Sequence, residues 1–172
     1  MQTWNVVATV RGSGYRDAVR QLEPFGRVKR TRFHNVLVAD VEDPEAMLER
    51  LETRGGTSLA SVIPVRRTFE FRSTADFEAK ARAILDELAF ALSSKSFHVR
   101  VHHRGALGMS SRDEERSFDI FLLDALERLG LSGRVGFDDP DVIIAVEIVG
   151  SRCGISIWNK QELHRHPLLH LD

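Results

Sequence analysis

With a single cysteine, Cys153, in 172 residues, the chain cannot form an internal disulfide, which fits a reducing compartment. No apolar run approaches the roughly 20 residues that a membrane-spanning helix needs. The opening Met1-Gln-Thr-Trp-Asn5 lacks a basic leader followed by an apolar block. No membrane association and a cytoplasmic location are therefore expected. Nor is there an excess of cations. Twenty-four Lys and Arg against 25 Asp and Glu give a formal net charge of −1, so bulk charge cannot draw the chain to a polyanion. Repeats, low-complexity tracts and long linkers are missing too, so the units of the chain are expected to lie close together.

What is present is the balance of a soluble globular protein, 42% apolar and 28% charged. The length allows one ordinary domain or two small ones. Residues 1–73 hold 12 basic and 9 acidic side chains, a net of +3, and residues 74–172 hold 12 and 16, a net of −4. Any polyanion-binding surface must come from cations sorted onto one face.

Trp4 to Val10 reads as a buried strand, and Gly12-Ser-Gly14 turns into a helix with Tyr15, Ala18, Val19 and Leu22 on one side and Ser13 as its cap. Arg27–Phe33 and Asn35–Val41 read as strands. Asp43-Pro44 opens a second helix that Gly55-Gly56 stops, and Val62–Phe71 reads as a fourth strand. The order β-α-β-β-α-β over residues 1–73 is that of a ferredoxin-like domain.

In residues 74–172, Phe77, Ala81, Ile84, Leu85, Leu88 and Leu92 recur at helical spacing. Ser96 to His103 then alternates Phe97, Val99 and Val101 against His98, Arg100 and His102. After a loop from Arg104 to Ser110, a capping box Ser111-x-x-Glu114 opens a helix that Gly130 ends. Val142–Val149 and Cys153–Trp158 read as central strands joined by a tight turn at Gly150-Ser151. The expected fold is α/β: a ferredoxin-like N-terminal domain, then an α/β domain with a mixed sheet and a C-terminal tail docked on it through Leu163, Leu168 and Leu169.

Arg100, His102 and Arg104 fall on one strand face, a row of donors able to meet successive phosphates, with His103 at the strand end. Gly105 and Gly108 would let loop N–H groups approach a phosphate. Arg112 and Arg116, one helical turn apart, would extend the patch, with Lys160 and Arg165 at its rim. The alternative is an ordinary solvated strand end. In the first half, Lys29 and Arg32 are further candidates, although alternation sends neighbouring cations to opposite faces, and a charge-protected edge strand explains them as well.

The second half resembles the THUMP domain, an RNA-binding module of thiouridine synthases, RNA methylases and pseudouridine synthases. Three segments carry the resemblance: the basic strand Phe97-His-Val-Arg-Val-His-His-Arg104, the turn Asp139-Pro140-Asp141 with Val-Ile-Ile-Ala-Val-Glu147-Ile, and Gly154-Ile-Ser-Ile-Trp158. They span roughly residues 75–165. A preceding ferredoxin-like domain is common in that family. The whole chain is similar to stand-alone THUMP proteins, whose eukaryotic relatives are tRNA-binding adaptors of a cytidine acetyltransferase. The resemblance thus implies an accessory protein that binds the acceptor region of tRNA and presents it to a modifying enzyme on a separate chain.

With no catalytic domain or nucleophile motif in sight, an enzyme is not expected. Gly12-Ser13-Gly14 lacks the third glycine of a dinucleotide fingerprint and the Lys-Ser/Thr of a phosphate loop. Glu147 within an apolar strand reads as a structural carboxylate bonded to Arg or backbone donors. Seven histidines, with His164, His166 and His170 near the end, raise the alternative of a small metal-dependent hydrolase. The tail offers no cysteine and only Glu162 and Asp172 beside them, so neither a metal nor any other cofactor is expected. Oligomeric state leaves no mark on the sequence.

Overall fold

A computed structural model describes residues 3–55, 58–105 and 108–171. In chain order its elements are β1 (Val6–Val10), α1 (Tyr15–Leu22), β2 (Gly26–Arg30), β3 (Val36–Val41), α2 (Pro44–Arg54), β4 (Leu59–Pro64), β5 (Arg67–Glu70), α3 (Thr74–Leu88), β6 (Ser96–Arg104), α4 (Ser111–Arg128), β7 (Arg134–Val135), β8 (Val142–Val149), β9 (Arg152–Asn159) and α5 (Lys160–Arg165). They divide into two units, Met1–Arg66 with Leu163–Asp172, and Arg67–Glu162.

The first unit is an antiparallel sheet in the order β2-β3-β1-β4 with α1 and α2. Central β1 and β3 are buried nearly throughout, and their valine-rich runs match that position. The Asp43 carboxylate caps α2 by accepting the Ala46 N–H at 3.0 Å, Pro44 fills the first turn, and Gly55 at φ 62° ends it. For α1 the expected Ser13 cap is absent: Gly14 occupies that place without a side-chain hydrogen bond. The segment read as one strand over Val62–Phe71 breaks after Pro64, which has no N–H to continue a ladder. Its two parts, β4 and β5, lie in different sheets, so the second unit begins at Arg67.

The final residues return to the first unit, whereas the sequence reading kept them with the second. The reason lies in hydrogen bonding. Edge strand β4 donates Val62 N–H to the Leu168 carbonyl at 2.8 Å. Glu52 on α2 accepts the Leu168 N–H at 3.2 Å and bonds His166 Nδ1 at 2.8 Å. Leu168, Leu169 and Leu171 are buried and Leu163 is half-buried.

The second unit is a mixed sheet in the order β5-β9-β8-β6-β7, with β6 parallel to both β7 and β8. One face, carrying Phe97, Val99 and Val101 of β6 with Val142, Ile144, Val146 and Ile148 of β8, packs against Phe77, Ile84 and Leu85 of α3 and Phe118 and Leu122 of α4. Phe71, Phe77 and Phe118 interlock with ring centroids 5.2 and 5.9 Å apart. Cys153 lies in this core, where burial pushes its thiol well above the ordinary range and leaves it unreactive. The helix α4 is capped one residue earlier than expected, by Ser110, whose hydroxyl accepts the Asp113 N–H at 3.4 Å. Of the expected phosphate-facing loop, Ala106 and Leu107 lie outside the described residues.

Candidate nucleic-acid interface

The two-residue strand β7, which no sequence pattern announces, determines where the site lies. It pairs only with Ser96 and Phe97, so the outer edge of β6 is open beyond that point. Helix α4 closes the edge instead. Asp119 Oδ1 accepts the Val99 N–H at 2.9 Å and Glu115 Oε1 accepts the Val101 N–H at 2.9 Å. The spacings agree: four helical residues rise about 6 Å and two strand residues about 6.6 Å. The second oxygen of Asp119 bonds the buried His98 at Nδ1, 2.8 Å away.

Along this seam runs a cleft of about 830 Å³, lined by His98, Arg100, Arg112, Glu115, Arg116 and Phe137 among others. The size is within the roughly 300–1,000 Å³ of small-ligand pockets. Arg112 and Arg116 are exposed and Arg100 half-buried. Among the described residues none of the three side chains makes a hydrogen bond or ion pair. Phe137 is 70% exposed, its ring set edge-on to His98 with centroids 5.0 Å apart. Three unengaged guanidinium groups beside an open aromatic ring can meet phosphates and stack a base.

The other cations of the expected row have a different fate. Glu147, fully buried, bonds His102 Nδ1 through Oε1 and Arg104 Nη1 through Oε2, both at 2.5 Å. Burial alone would push the Glu147 carboxyl up, but the hydrogen bond and charge of His102 and the charge of Arg104 outweigh it and hold it below the ordinary range. As expected, Glu147 is a structural carboxylate, and it takes His102 and Arg104 out of the solvent-facing row. His103 is half-buried, its Nε2 has no partner among the described residues, and burial lowers its pKa. Gly105 adopts φ 147°, and a Cβ there would stand 3.3 Å from Gly150 Cα, so close packing against the β8–β9 turn accounts for the glycine.

A family model for the THUMP domain matches residues 71–157, just over half of the chain. The chain belongs to the THUMP domain family. No curated protein matches it. Among solved structures it is similar to PH1313 from Pyrococcus horikoshii Ot3, with 14% identity and a TM-score of 0.59 over 91% of this chain and 55% of that one. It is also similar to TrmN from Thermus thermophilus, with 16% identity and a TM-score of 0.60 over 90% of this chain and 45% of that one. The likeness at such identities is one of fold, and this chain spans about half the length of those proteins.

In this THUMP domain the Asp139-Pro140-Asp141 turn clamps the sheet. Asp141 Oδ2 accepts both the N–H and the hydroxyl of Ser96 at 2.9 Å, and those bonds hold its carboxyl below the ordinary range. Lys160, in the same unit, pairs with Asp139 at 2.9 Å. Arg165 belongs to the first unit and pairs with Glu49 at 2.7 Å. Lys29 is exposed on edge strand β2, and Arg32 lies 5.1 Å over the Phe33 ring. No group of three or more His, Cys, Asp or Glu suited to a metal occurs among the described residues. Sequence reasoning missed His98, Glu115, Asp119 and Phe137 as parts of the cleft. The usable signals were carboxylates four apart beside the apolar stripe of α4, and a lone Phe between Gly136 and two aspartates.

Proposed function

We propose that this protein is an RNA-binding accessory module that grips tRNA at its acceptor region and presents it to a modifying enzyme on another chain, without catalysing a step itself. One observation carries the reading: in a THUMP domain, Arg100, Arg112 and Arg116 line a cleft beside the exposed Phe137 with no acidic partner among the described residues. Guanidinium groups held unpaired next to an aromatic face suit phosphate contacts with a nucleotide stacked between them. A cytidine acetyltransferase is the enzyme that the resemblance to stand-alone THUMP proteins suggests. The strand order β2-β3-β1-β4 supports reading the first unit as ferredoxin-like.

Binding to purified tRNA against salt concentration tests the core of this reading. Affinity is expected to fall by about 0.7–0.9 log units per log unit of salt for each phosphate contact, with a slope reduced by one such step in Arg112→Ala. Failure to bind tRNA at low salt overturns it. The adaptor part is tested by adding the protein to an acetyltransferase and tRNA, where increased cytidine modification is expected and no stimulation counts against it.

A further inference from the structure

The cleft is more than a phosphate cradle, because acids line it as well as arginines. Asp113, Glu115 and Asp119 match Arg100, Arg112 and Arg116 in number, and a phosphate set against the carboxylates would be repelled. The ligand that suits this lining is anionic where it meets the arginines and rich in donors where it meets the acids. A nucleotide with an amine on its base has that form.

The acids differ in what they can still do. Asp119 has spent both oxygens, one on Val99 N–H and one on His98. Glu115 has spent only Oε1, on Val101 N–H. Its Oε2 lies 4.0 Å from His98 Nε2 and makes no hydrogen bond among the described residues, although the side chain is only 16% exposed. A largely desolvated carboxylate with an open lone pair gains from any donor that reaches it. It can only accept.

Resting on the RNA-binding reading above, we propose that this cleft takes one unpaired nucleotide and selects bases carrying an exocyclic amine over uracil, with Glu115 Oε2 accepting from the amine and Phe137 stacking the ring. Uracil brings its O4 carbonyl to the place where cytosine brings its amine, and two acceptors face to face repel. Phe137 serves every base alike, since each has a π-face. Selection therefore belongs to Glu115 and affinity to Phe137 and the arginines.

The test is fluorescence anisotropy of the full chain with labelled eight-residue oligocytidine and oligouridine, two pyrimidines of the same size. Oligocytidine is expected to bind about tenfold more tightly. In Glu115→Gln the Val101 N–H still requires an acceptor, so the amide oxygen turns to it and the amide nitrogen faces the cleft. A donor then replaces an acceptor, and the preference is expected to shift toward oligouridine. Phe137→Ala, at an exposed position, is expected to weaken both oligomers roughly tenfold and equally. Equal binding of the two oligomers by the natural chain, or an unchanged ratio in Glu115→Gln, overturns base selection. If tRNA still binds with a steep salt dependence in that case, the RNA-binding reading survives alone. If neither oligomer nor tRNA binds, both fall.

Discussion

Arg100 and Arg104 stand four residues apart on the same face of β6, yet they are different kinds of residue. Opposite Arg100 on β8 is Ala145, which offers nothing to bond. Opposite His102 is Glu147, whose two oxygens reach His102 and Arg104 and absorb both. Arg100, left without an acid, joins Arg112 and Arg116 around the cleft. Whether a cation on a strand is available to a ligand is therefore decided by the neighbouring strand, not by its own alternation. One end of β6 is fastened by charge while the middle presents it.

Glu147→Leu probes the fastened end hardest. Removing the fully buried carboxylate leaves the half-buried Arg104 and His102 without the partner they share, so a loss of about 3 kcal/mol is expected, with a thermal midpoint lower by roughly 6–12 °C for a chain of this size. A loss below about 1 kcal/mol would dissolve the contrast between the two ends.

Acid should reproduce part of that loss. The Glu147 pKa is lowered from its ordinary 4.5, so the folded state holds the proton less tightly than the unfolded chain does. Its contribution is present above the unfolded value and disappears as the pH falls through the lower, folded one. Urea unfolding at neutral pH and near pH 3 should show a smaller acid loss in Glu147→Gln than in the natural chain. Equal losses would mean that Glu147 titrates normally.

The paired substitutions Arg104→Ala and Arg100→Ala compare the two ends directly. Arg104→Ala should cost about 2 kcal/mol of stability, since Glu147 keeps only His102, and leave the salt slope of tRNA binding unchanged. Arg100→Ala should do the reverse, with stability within about 0.5 kcal/mol and a slope lower by about 0.7–0.9. Exchange of these two outcomes would make the sequence-based row of donors the better description.

The sequence disclosed what local pattern encodes. The apolar stripe of α3, the runs of β8 and β9 and the Asp43-Pro44 helix start stand where periodicity and capping put them, whereas α4 is capped one residue early and His98, on the cation-bearing face of β6, is buried. What it hid is non-local. Glu147 meets His102 and Arg104 across 45 and 43 residues, and no pattern within either segment contains that pairing. The separation of β4 from β5 turns on which sheet each joins, and β7 is too short to have a period. The cleft was half legible: Arg100, Arg112 and Arg116 could be named, but the acids and Phe137 became part of it only once α4 lay along the open edge of β6.

The smallest effect is expected at Lys160. Its pair with Asp139 is open to solvent, with the lysine side chain 37% and the aspartate 71% exposed. Such pairs are worth about 0–1 kcal/mol, so Lys160→Ala should leave the thermal midpoint nearly unchanged. A pair held so weakly can exchange its carboxylate for a phosphate, which the half-buried Arg104 cannot do without leaving the buried Glu147 short of a donor. If Lys160 lies on the RNA path, its substitution lowers the salt slope by less than the Arg112→Ala step, because the Asp139 contact has to be given up first. A fall as large as that of Arg112→Ala would extend the binding surface to the start of α5, and no fall at all would confine it to the cleft beside β6.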